Sequence, residues 1–413
     1  KIIINSFMLI LIIILILFAY RSRYSILIYQ HIFNHFNQIQ YNFNKKDDIA
    51  ILGGGISGLS IAYFLQDSDN IINLYEASNS ISGNIKNYDS HCPVFMSCFD
   101  LPRSKNISYL MKKLNLKATK VKCWENITLR TKTNNKPNIF KIPNYNYLLL
   151  KLFQNQFLFY KLINAYSSIN YFTSKNNFEF SQLLCYIYNH TKGSYYSIQN
   201  GQNYKLIERL RLQLGRKTSI HYNYKLIKLQ SINHKIQCLF SNHKVTTHQK
   251  IIIAFQPHYI LKIISPYTNN NELKRIWLIS QCFYEQKAFS CFHTDIKLCD
   301  SNSGLTYQEV EFKGHKHYIL TINPRVFYNT NKVSKDKRIT IWYEDINMIK
   351  IEKNHILQIK EGTISLLKKD KYQQFINLSK ELKNHKQIFL ASSYFSFSKW
   401  ADDGINIASR YKF

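Results

Sequence analysis

The chain has 413 residues, 45% of them hydrophobic and 15% aromatic, which is enough to bury the cores of two interleaved domains. Its formal net charge is +30, but the lysines and arginines are scattered singly, and neither a zinc-finger spacing nor an RNA-binding signature accompanies them. This distribution argues against nucleic acid as a partner and favours a solvated basic surface, or one attracted to anionic lipid.

The cysteines argue against a metal centre. The chain contains eight of them, with no CxxC pair and no histidine spacing that would close a metal site. We therefore expect reduced, mostly buried thiols in a reducing compartment, and no metal ion.

The chain begins with an apolar segment. Residues 2–20 carry no charge and are long enough to cross a bilayer core as a helix. We predict that residues 1–23 form a transmembrane anchor, with a signal peptide, uncleaved or cleaved, as the alternative. Arg21 and Arg23 then place the rest of the chain on the cytoplasmic side. Residues 24–45 form an amphipathic helix on the membrane surface or a plain linker.

A cluster of glycines follows this segment. The chain has only 12 glycines, yet four of them lie within residues 53–58, between an apolar run typical of a buried parallel strand and a run with helical periodicity. In a strand-to-helix turn, Gly53 allows the tight bend, Gly55 lets a pyrophosphate approach the backbone, and Gly58 lets the helix pack on the strand. The spacing predicts a dinucleotide-binding turn. A merely tight turn is the alternative, but it does not explain why a glycine-poor chain keeps these residues.

Two further features support a dinucleotide site. Ile56 and Ser57 lie at the N-terminus of the predicted helix, where backbone amides and the helix dipole attract phosphate. The next predicted strand ends at Glu76, about 20 residues beyond the first glycine, where a carboxylate binds ribose hydroxyls.

The residues after this strand indicate which dinucleotide is bound. The run YEASNSISGNI resembles the flavin amine-oxidase superfamily, in which the acidic residue is followed by a glycine-rich turn that continues the cofactor site. The resemblance implies FAD, held by Glu76, Ala77, Gly83 and Asn84. Ser82 stands where the family usually has a second glycine.

The resemblance continues through the middle of the chain. The segment SIQNGQNYKLIERLRLQLGRK is similar to the family's return to the FAD-binding domain, through a turn at Asn200 and Gly201, a helix and a strand. Leu226 then lies where relatives place backbone against adenine. The segment KIIIAFQP is similar to the strand that brings the chain back under the cofactor and ends at Pro257.

Two stretches resemble a bacterial-type branch of predicted amine-oxidase-like proteins, which are often associated with cyclopropane fatty-acid synthases. One is the run His293-Thr294-Asp295, and the other is the C-terminal segment that contains Asp403 and Gly404. The resemblance places Asp403 and Gly404 at a helix N-terminus facing the flavin, whereas simple helix capping is the alternative. For His293, we favour a structural histidine over a catalytic one.

The resemblance implies an α/β fold with a Rossmann-like FAD-binding domain and an inserted α+β substrate domain, and the apolar run adds the N-terminal hydrophobic helix. We predict that the FAD-binding domain is assembled from residues 46–130, 200–265 and 376–413. Residues 131–199 are expected to form a helical substrate cap, and residues 266–375 the substrate domain.

Several positions depart from the family. Ser392 and Ser393 stand where relatives usually have a glycine and a small or acidic residue near the flavin, and Ala401 stands where the close branch has histidine. His91 occupies a position that is commonly glycine. Side chains at glycine positions crowd a cofactor, so loss of activity stays an alternative.

The predicted function is that of an FAD-dependent oxidoreductase, with a lipid or acyl-chain substrate favoured over an amine and two electrons passing to flavin N5. The FAD is expected to be non-covalent because no cysteine follows Cys299. The sequence identifies neither a catalytic base nor an electron acceptor. The alternatives are a catalytically degenerate FAD- or nucleotide-binding scaffold and a basic surface-binding protein with an incidental Rossmann fold.

Overall fold

A computed structural model describes residues 46–81, 83, 85–95, 98–99, 105–122, 126–133, 136–142, 165, 195–392, 405 and 408. The predicted N-terminal helix and the segment after it, residues 1–45, lie outside these ranges. None of the described helices has both the length and the apolar character needed to span a bilayer.

The secondary structure consists mainly of strands. In chain order, the strands are β1 Asp48–Leu52, β2 Ile71–Tyr75, β3 Asn87–Asp89, β4 Cys92–Pro93, β5 Ala118–Lys120, β6 Ile127–Thr133, β7 Lys136–Ile142, β8 Tyr196–Ile198, β9 Thr218–His221, β10 Leu226–Ile232, β11 Lys235–Phe240, β12 Val245–His248, β13 Lys250–Ile253, β14 Phe283–His293, β15 Leu305–Phe312, β16 His315–Ile322, β17 Arg338–Tyr343, β18 Ile356–Leu367 and β19 Ile388–Leu390. The helices are α1 Ile56–Leu65, α2 Lys105–Lys113, α3 Tyr204–Leu212, α4 Pro257–Ile263, α5 Asn271–Gln281, α6 Pro324–Phe327 and α7 Tyr372–Lys380.

The first sheet contains five parallel strands in the order β19-β13-β1-β2-β9. Its central strand, β1, is apolar after its first residue, and Ile49 and Ile51 are fully buried. Such continuous apolar runs are typical of parallel strands that are covered on both faces. α1 follows β1 directly and is buried along most of its surface. This sheet confirms the predicted Rossmann-like α/β domain, which the chain enters at three separate places.

A small antiparallel sheet packs into the same core. It consists of β10, β11 and β12 in that order. Its inward side chains, among them Leu229, Ile236, Cys238 and Phe240, belong to the hydrophobic core of the first sheet. We call this sheet the meander.

The second large sheet has seven strands in the order β18-β14-β17-β16-β15-β6-β7. Its strand pairs are antiparallel except for β15 with β6. The prediction was wrong about residues 127–142. It divided them between the FAD-binding domain and a helical cap, whereas they form β6 and β7 of this sheet. Ile127, Thr128 and Leu129 are all buried, so this part of β6 is covered on both faces. Apart from residue 165, residues 143–194 of the predicted cap lie outside the described ranges.

The β3–β4 hairpin joins the two sheets. The Tyr88 hydroxyl donates a hydrogen bond to the Ser290 carbonyl oxygen in β14. The Tyr88 ring stacks on Phe292 with 5.2 Å between ring centroids. The hairpin follows Gly83 closely in sequence, so the chain passes directly from the predicted cofactor turn to the face of the second sheet.

His293 is a buried structural histidine, as we favoured. It ends β14 with no exposed surface. The Asp295 amide donates to Nδ1 at 3.1 Å, so the ring proton lies on Nε2, which donates to the Thr340 hydroxyl oxygen at 2.7 Å. Thr340 and Thr321 share a further hydrogen bond of 2.8 Å. A proton on Nδ1 would face the Asp295 amide, which is itself a donor and cannot accept it. Burial lowers the pKa of His293 to about 4.

This histidine is expected to destabilise the protein in acid. Between about pH 6.5 and pH 4 the unfolded chain binds a proton here and the folded chain does not, so the free energy of unfolding falls by up to about 1.4 kcal/mol per pH unit. Above about pH 6.5 the residue contributes no pH dependence. Denaturant unfolding at pH 5 and pH 7.5 should therefore show a smaller difference for His293→Asn than for the wild type. The exposed-site control His234→Asn should keep the wild-type difference. An unchanged difference in His293→Asn would contradict this expectation.

Candidate functional site

The turn between β1 and α1 admits no side chains at two of its glycines. Gly53 has φ of +111°, and a Cβ there would lie 3.2 Å from the backbone of Ala254. A Cβ on Gly58 would lie 1.9 Å from the Gly53 carbonyl oxygen, which is a direct overlap. Gly53 therefore supplies the bend and Gly58 the close helix packing.

Gly83 lies against this turn. It has φ of +55°, and a Cβ built on it would be 2.9 Å from the Gly55 Cα. Two stretches of bare main chain therefore face each other, as the sequence predicted for a cofactor site continued by a second glycine turn. Ser82 and Asn84, on either side of Gly83, lie outside the described residues.

The N-terminus of α1 has no anionic group of its own. Gly55 occupies the N-cap position in an extended conformation, no side chain caps the helix, and its first turn contains no acidic residue. The first helical hydrogen bond runs from the Leu59 amide to the Gly55 carbonyl oxygen at 3.0 Å. The amides of Ile56, Ser57 and Gly58 precede that bond, so they have no acceptor within the helix. Such a terminus binds phosphate.

Glu76 points at the glycine turn. Its Oε2 accepts a hydrogen bond from the Gly54 amide at 2.8 Å. Its Oε1 accepts from the Ser78 amide at 2.9 Å and from the Ser78 hydroxyl at 2.7 Å. The three donors hold the carboxylate at the end of β2, beside the place where phosphates would bind.

Sequence reasoning missed two residues of this arrangement. Gly54 is not part of the recognised glycine spacing, yet a Cβ there would lie 2.9 Å from the Glu76 Oε2. The signal was present, since Gly54 is the fourth glycine of the cluster. Ser78 orients the carboxylate, and no feature of the sequence distinguishes it from the other serines nearby.

Leu226 follows a short segment that contacts the Glu76 turn. It opens β10, and the two residues that approach the Glu76 turn come just before it. The Asn223 amide donates to the Ser78 carbonyl oxygen at 3.0 Å, and the Tyr224 amide donates to the Glu76 carbonyl oxygen at 2.9 Å. The exposed Ala77 lies between these two contacts. The described part of the predicted site is therefore brought together by β1, β2 and the meander.

The C-terminal residues of the predicted site, Asp403 and Gly404, lie outside the described residues, as do Ser393 and Ala401. Ser392 is described, and it is 3% exposed two residues beyond the end of β19. Because β19 runs parallel to β1 and β13, Ser392 lies at the same edge of the sheet as Gly53.

His91, at a position that is commonly glycine, is held by protein contacts. Its Nδ1 donates to the Asn200 carbonyl oxygen at 3.0 Å, so its Nε2 accepts from the Gln202 side-chain amide at 3.0 Å. Gly201 has φ of +99°, and a Cβ there would lie 2.8 Å from the His91 carbonyl oxygen. The side chain is thus accommodated between the β3–β4 hairpin and the turn before α3.

The cysteines that the structure describes are free and buried. They are Cys92, Cys98, Cys238, Cys282, Cys291 and Cys299. Within the described ranges, no group of three or more histidine, cysteine, aspartate or glutamate side chains is arranged to hold a metal ion. At the carboxyl edge of the first sheet, the amides of the α1 N-terminus are groups that can bind phosphate, and the Glu76 carboxylate is a group that can bind hydroxyls.

The comparisons with known proteins agree with this fold. A family model described as an NAD(P)-binding Rossmann-like domain matches residues 51–114. Cyclohexylamine oxidase from Brevibacterium oxydans IH-35A superposes with a TM-score of 0.62 at 11% identity, over 89% of this chain and 98% of that one. A fatty acid isomerase from P. acnes that produces CLA gives 0.60 at 12% identity, over 89% and 98%. Putrescine oxidase bound to putrescine gives 0.59 at 11% identity, over 88% and 98%.

A comparison with curated protein sequences finds no match. The predicted link to proteins associated with cyclopropane fatty-acid synthases gains no support from these comparisons. They show that the chain has the α/β Rossmann-like fold of amine-oxidase structures over most of its length.

The tight contact at Gly58 predicts that alanine at this position destabilises the protein more than alanine at Gly215. Gly58→Ala forces the α1 turn apart and is expected to lower the free energy of unfolding by at least about 2 kcal/mol. Gly215→Ala is the matched control, because the nearest atom to its new Cβ is 3.8 Å away. Denaturant unfolding of both variants measures the difference, and equal stabilities would contradict the close packing of α1 on β1.

Proposed function

We propose that this protein is an FAD-dependent oxidoreductase of the amine-oxidase type. The observation that carries the proposal is the meeting of Gly55 and Gly83, with the Glu76 carboxylate held against the same turn. A tight turn alone requires neither a second glycine turn packed against it nor an oriented carboxylate beside a helix N-terminus. FAD, when bound, accepts two electrons from a substrate C–H bond.

In this proposal the chain's own residues bind and orient the cofactor. The amides of Ile56, Ser57 and Gly58 receive the diphosphate, and the Glu76 carboxylate accepts hydrogen bonds from the adenosine ribose. The backbone at Leu226 lies along the adenine. Binding is non-covalent. Asp403 and Gly404 are proposed to lie near the pyrimidine end of the flavin, where helix amides favour negative charge.

The favoured substrate is an apolar molecule, a lipid or an acyl chain. The partly buried Tyr88 and Phe95 pack against the hydrophobic cluster of the second sheet, and Tyr88 stacks on Phe292 where the hairpin reaches β14. Partly buried aromatic rings of this kind can pack against hydrocarbon. A protein of this fold is named as a fatty acid isomerase.

Amines are the second choice of substrate. Two proteins of the same fold are named as oxidases of cyclohexylamine and putrescine.

We further propose that residues 1–23 tether the protein to a membrane with the catalytic domain on the cytoplasmic side. A tether of this kind keeps the enzyme beside an apolar substrate.

A second candidate function is a scaffold that binds FAD or another nucleotide without turning it over. The buried Ser392 favours this alternative, because it places a side chain at the edge of the sheet where relatives usually have glycine. The two functions differ in whether substrate reduces the flavin.

Release of the cofactor tests the proposal. The full chain, extracted in mild detergent and treated with acid, is expected to release one FAD per chain, identified by its absorbance and mass. Anaerobic addition of fatty acids, and then of amines, is expected to bleach the flavin of the enzyme. Colourless protein that also ignores added FAD would rule out the oxidoreductase. Bound FAD that no substrate bleaches would favour the scaffold.

The Glu76 carboxylate gives a sharper prediction. Glu76→Gln keeps an oxygen for the Gly54 amide but loses the charge that strengthens hydrogen bonds from ribose, so the dissociation constant for FAD is expected to rise about tenfold. Quenching of flavin fluorescence during titration of the apoprotein measures it. The control Glu352→Gln changes a mostly exposed carboxylate and is expected to leave the constant unchanged. An unchanged constant in Glu76→Gln would remove Glu76 from the site.

A further inference from the structure

A cluster of aromatic and polar side chains lies beneath the Glu76 turn, and the predicted site does not include it. Its members, here called the Tyr75 cluster, are Tyr75, His221, Tyr224, Phe240 and His248. Tyr75 ends β2 and immediately precedes Glu76. His221 ends β9 and His248 ends β12. Tyr224 lies two residues before β10, the first strand of the meander, and Phe240 ends its middle strand, β11.

His248 joins three strands through hydrogen bonds. Its Nδ1 lies 3.0 Å from the Asp48 Oδ2 at the start of β1, so this nitrogen carries a proton and donates it. Its Nε2 lies 3.1 Å from the Tyr75 hydroxyl and 2.9 Å from the Thr246 hydroxyl. Burial raises the pKa of Tyr75 to about 12, so this hydroxyl keeps its proton at neutral pH and can donate it to Nε2.

A second chain of contacts starts from the same carboxylate. The Asn73 side-chain amide donates to the Asp48 Oδ1 at 3.1 Å, and the Asn73 oxygen lies 3.1 Å from the His221 Nε2. The His221 ring stacks on Tyr75 with 4.6 Å between centroids. The contacts therefore run in a closed circuit from Asp48 through both histidines to Tyr75.

Ring packing attaches the meander to the same tyrosine. The Tyr75 ring lies 4.8 Å from Phe240 and 5.5 Å from Tyr224, measured between centroids. Phe240 pairs with Leu226 in the meander. Tyr75 thus contacts Phe240, the β11 residue that pairs with Leu226, and is followed in the chain by Glu76.

These contacts define the spacing of the two halves of the adenosine site. Glu76 reaches the site from the end of β2, and Leu226 reaches it from the meander, which is a separate sheet of three strands. Apolar side chains would fill the space of the buried His248 and Tyr75 at a lower desolvation cost, so their hydrogen-bonded chain to the partly exposed Asp48 is better explained by geometry than by stability. Directional bonds hold the meander in one register against β1 and β2, whereas apolar packing alone is less selective.

We propose that His248 and Tyr75 are positioning residues that set the distance between the Glu76 carboxylate and the backbone at Leu226, and so determine the affinity for the adenosine half of the cofactor. This inference rests on the proposed binding of FAD. Neither side chain touches the cofactor, and both act through the residues that do.

The test uses ADP, which carries the adenosine and diphosphate but no flavin. In the full chain, Tyr75→Phe removes one hydroxyl and keeps the ring, and His248→Leu removes the hydrogen bonds to Asp48, Tyr75 and Thr246. Both variants are expected to raise the dissociation constants of ADP and FAD by the same factor, about tenfold. His248→Gln restores a polar group at this position, so its constants are expected to fall between those of His248→Leu and the wild type.

A matched control separates positioning from stability. Tyr259→Phe also removes one tyrosine hydroxyl hydrogen bond, of 2.9 Å to Thr363, away from the Tyr75 cluster. It is expected to leave the ADP constant within about twofold of the wild type, because the bond lies outside the adenosine site. Melting temperatures of the apoproteins report the loss of stability for every variant.

Two outcomes would overturn the inference, and they are distinguishable. A wild type that binds ADP and FAD, with Tyr75→Phe and His248→Leu binding equally well, overturns the positioning role alone. A wild type that binds neither ligand overturns the proposed function, and the positioning role with it. If His248→Leu fails to fold, Tyr75→Phe and His248→Gln decide the question.

Discussion

The close approach of bare main chain at the carboxyl edge of the first sheet is the constraint on which the rest of the structure depends. Gly58 packs against Gly53, and Gly83 packs against Gly55, at distances that exclude a Cβ atom. Side chains here would separate α1 from β1 and fill the space beside the helix N-terminus. The same glycines therefore serve the packing of the sheet and leave bare main chain beside the helix N-terminus.

The discontinuous chain brings distant residues to this edge. β1 and β2 come from one segment, β9 and β13 from a second and β19 from a third, and all five strands run parallel. Parallel strands place their carboxyl ends together, so each return of the chain adds residues at the same edge. The β3–β4 hairpin then connects this edge to the second sheet, where Tyr88 stacks on Phe292.

Both sheets contain buried side chains that are linked in series by hydrogen bonds. His293 is hydrogen-bonded to Thr340 within the second sheet, and His248 links Asp48 to Tyr75 beneath the adenosine site. Each buried polar group costs free energy unless its partners are correctly placed, so such chains favour one register over its neighbours. In the second sheet the result is a fixed strand pairing, and in the first it is a defined position for the meander.

Local sequence pattern was sufficient to predict the glycine turn and the acidic residue that follows the next strand. The glycine spacing, the apolar run before it and the acidic residue ending the next strand together specify a strand, a turn and a helix, because these features act between neighbours in sequence. The same approach failed for the residues of β6 and β7, because local pattern does not specify which distant strand they join. β6 pairs with its neighbour β7, but only its parallel pairing with β15, far along the chain, places both strands in the second sheet.

The amino-acid sequence by itself determined the dinucleotide turn and the α/β class, since glycine conformation and apolar periodicity are local properties. Only the tertiary structure decided that Gly54 lies against the Glu76 carboxylate, that Ser78 orients Glu76, and that Asp48, Tyr75 and His248 form one chain. The physical reason is that hydrogen bonds and close contacts between residues up to 200 positions apart exist only once the strands have paired.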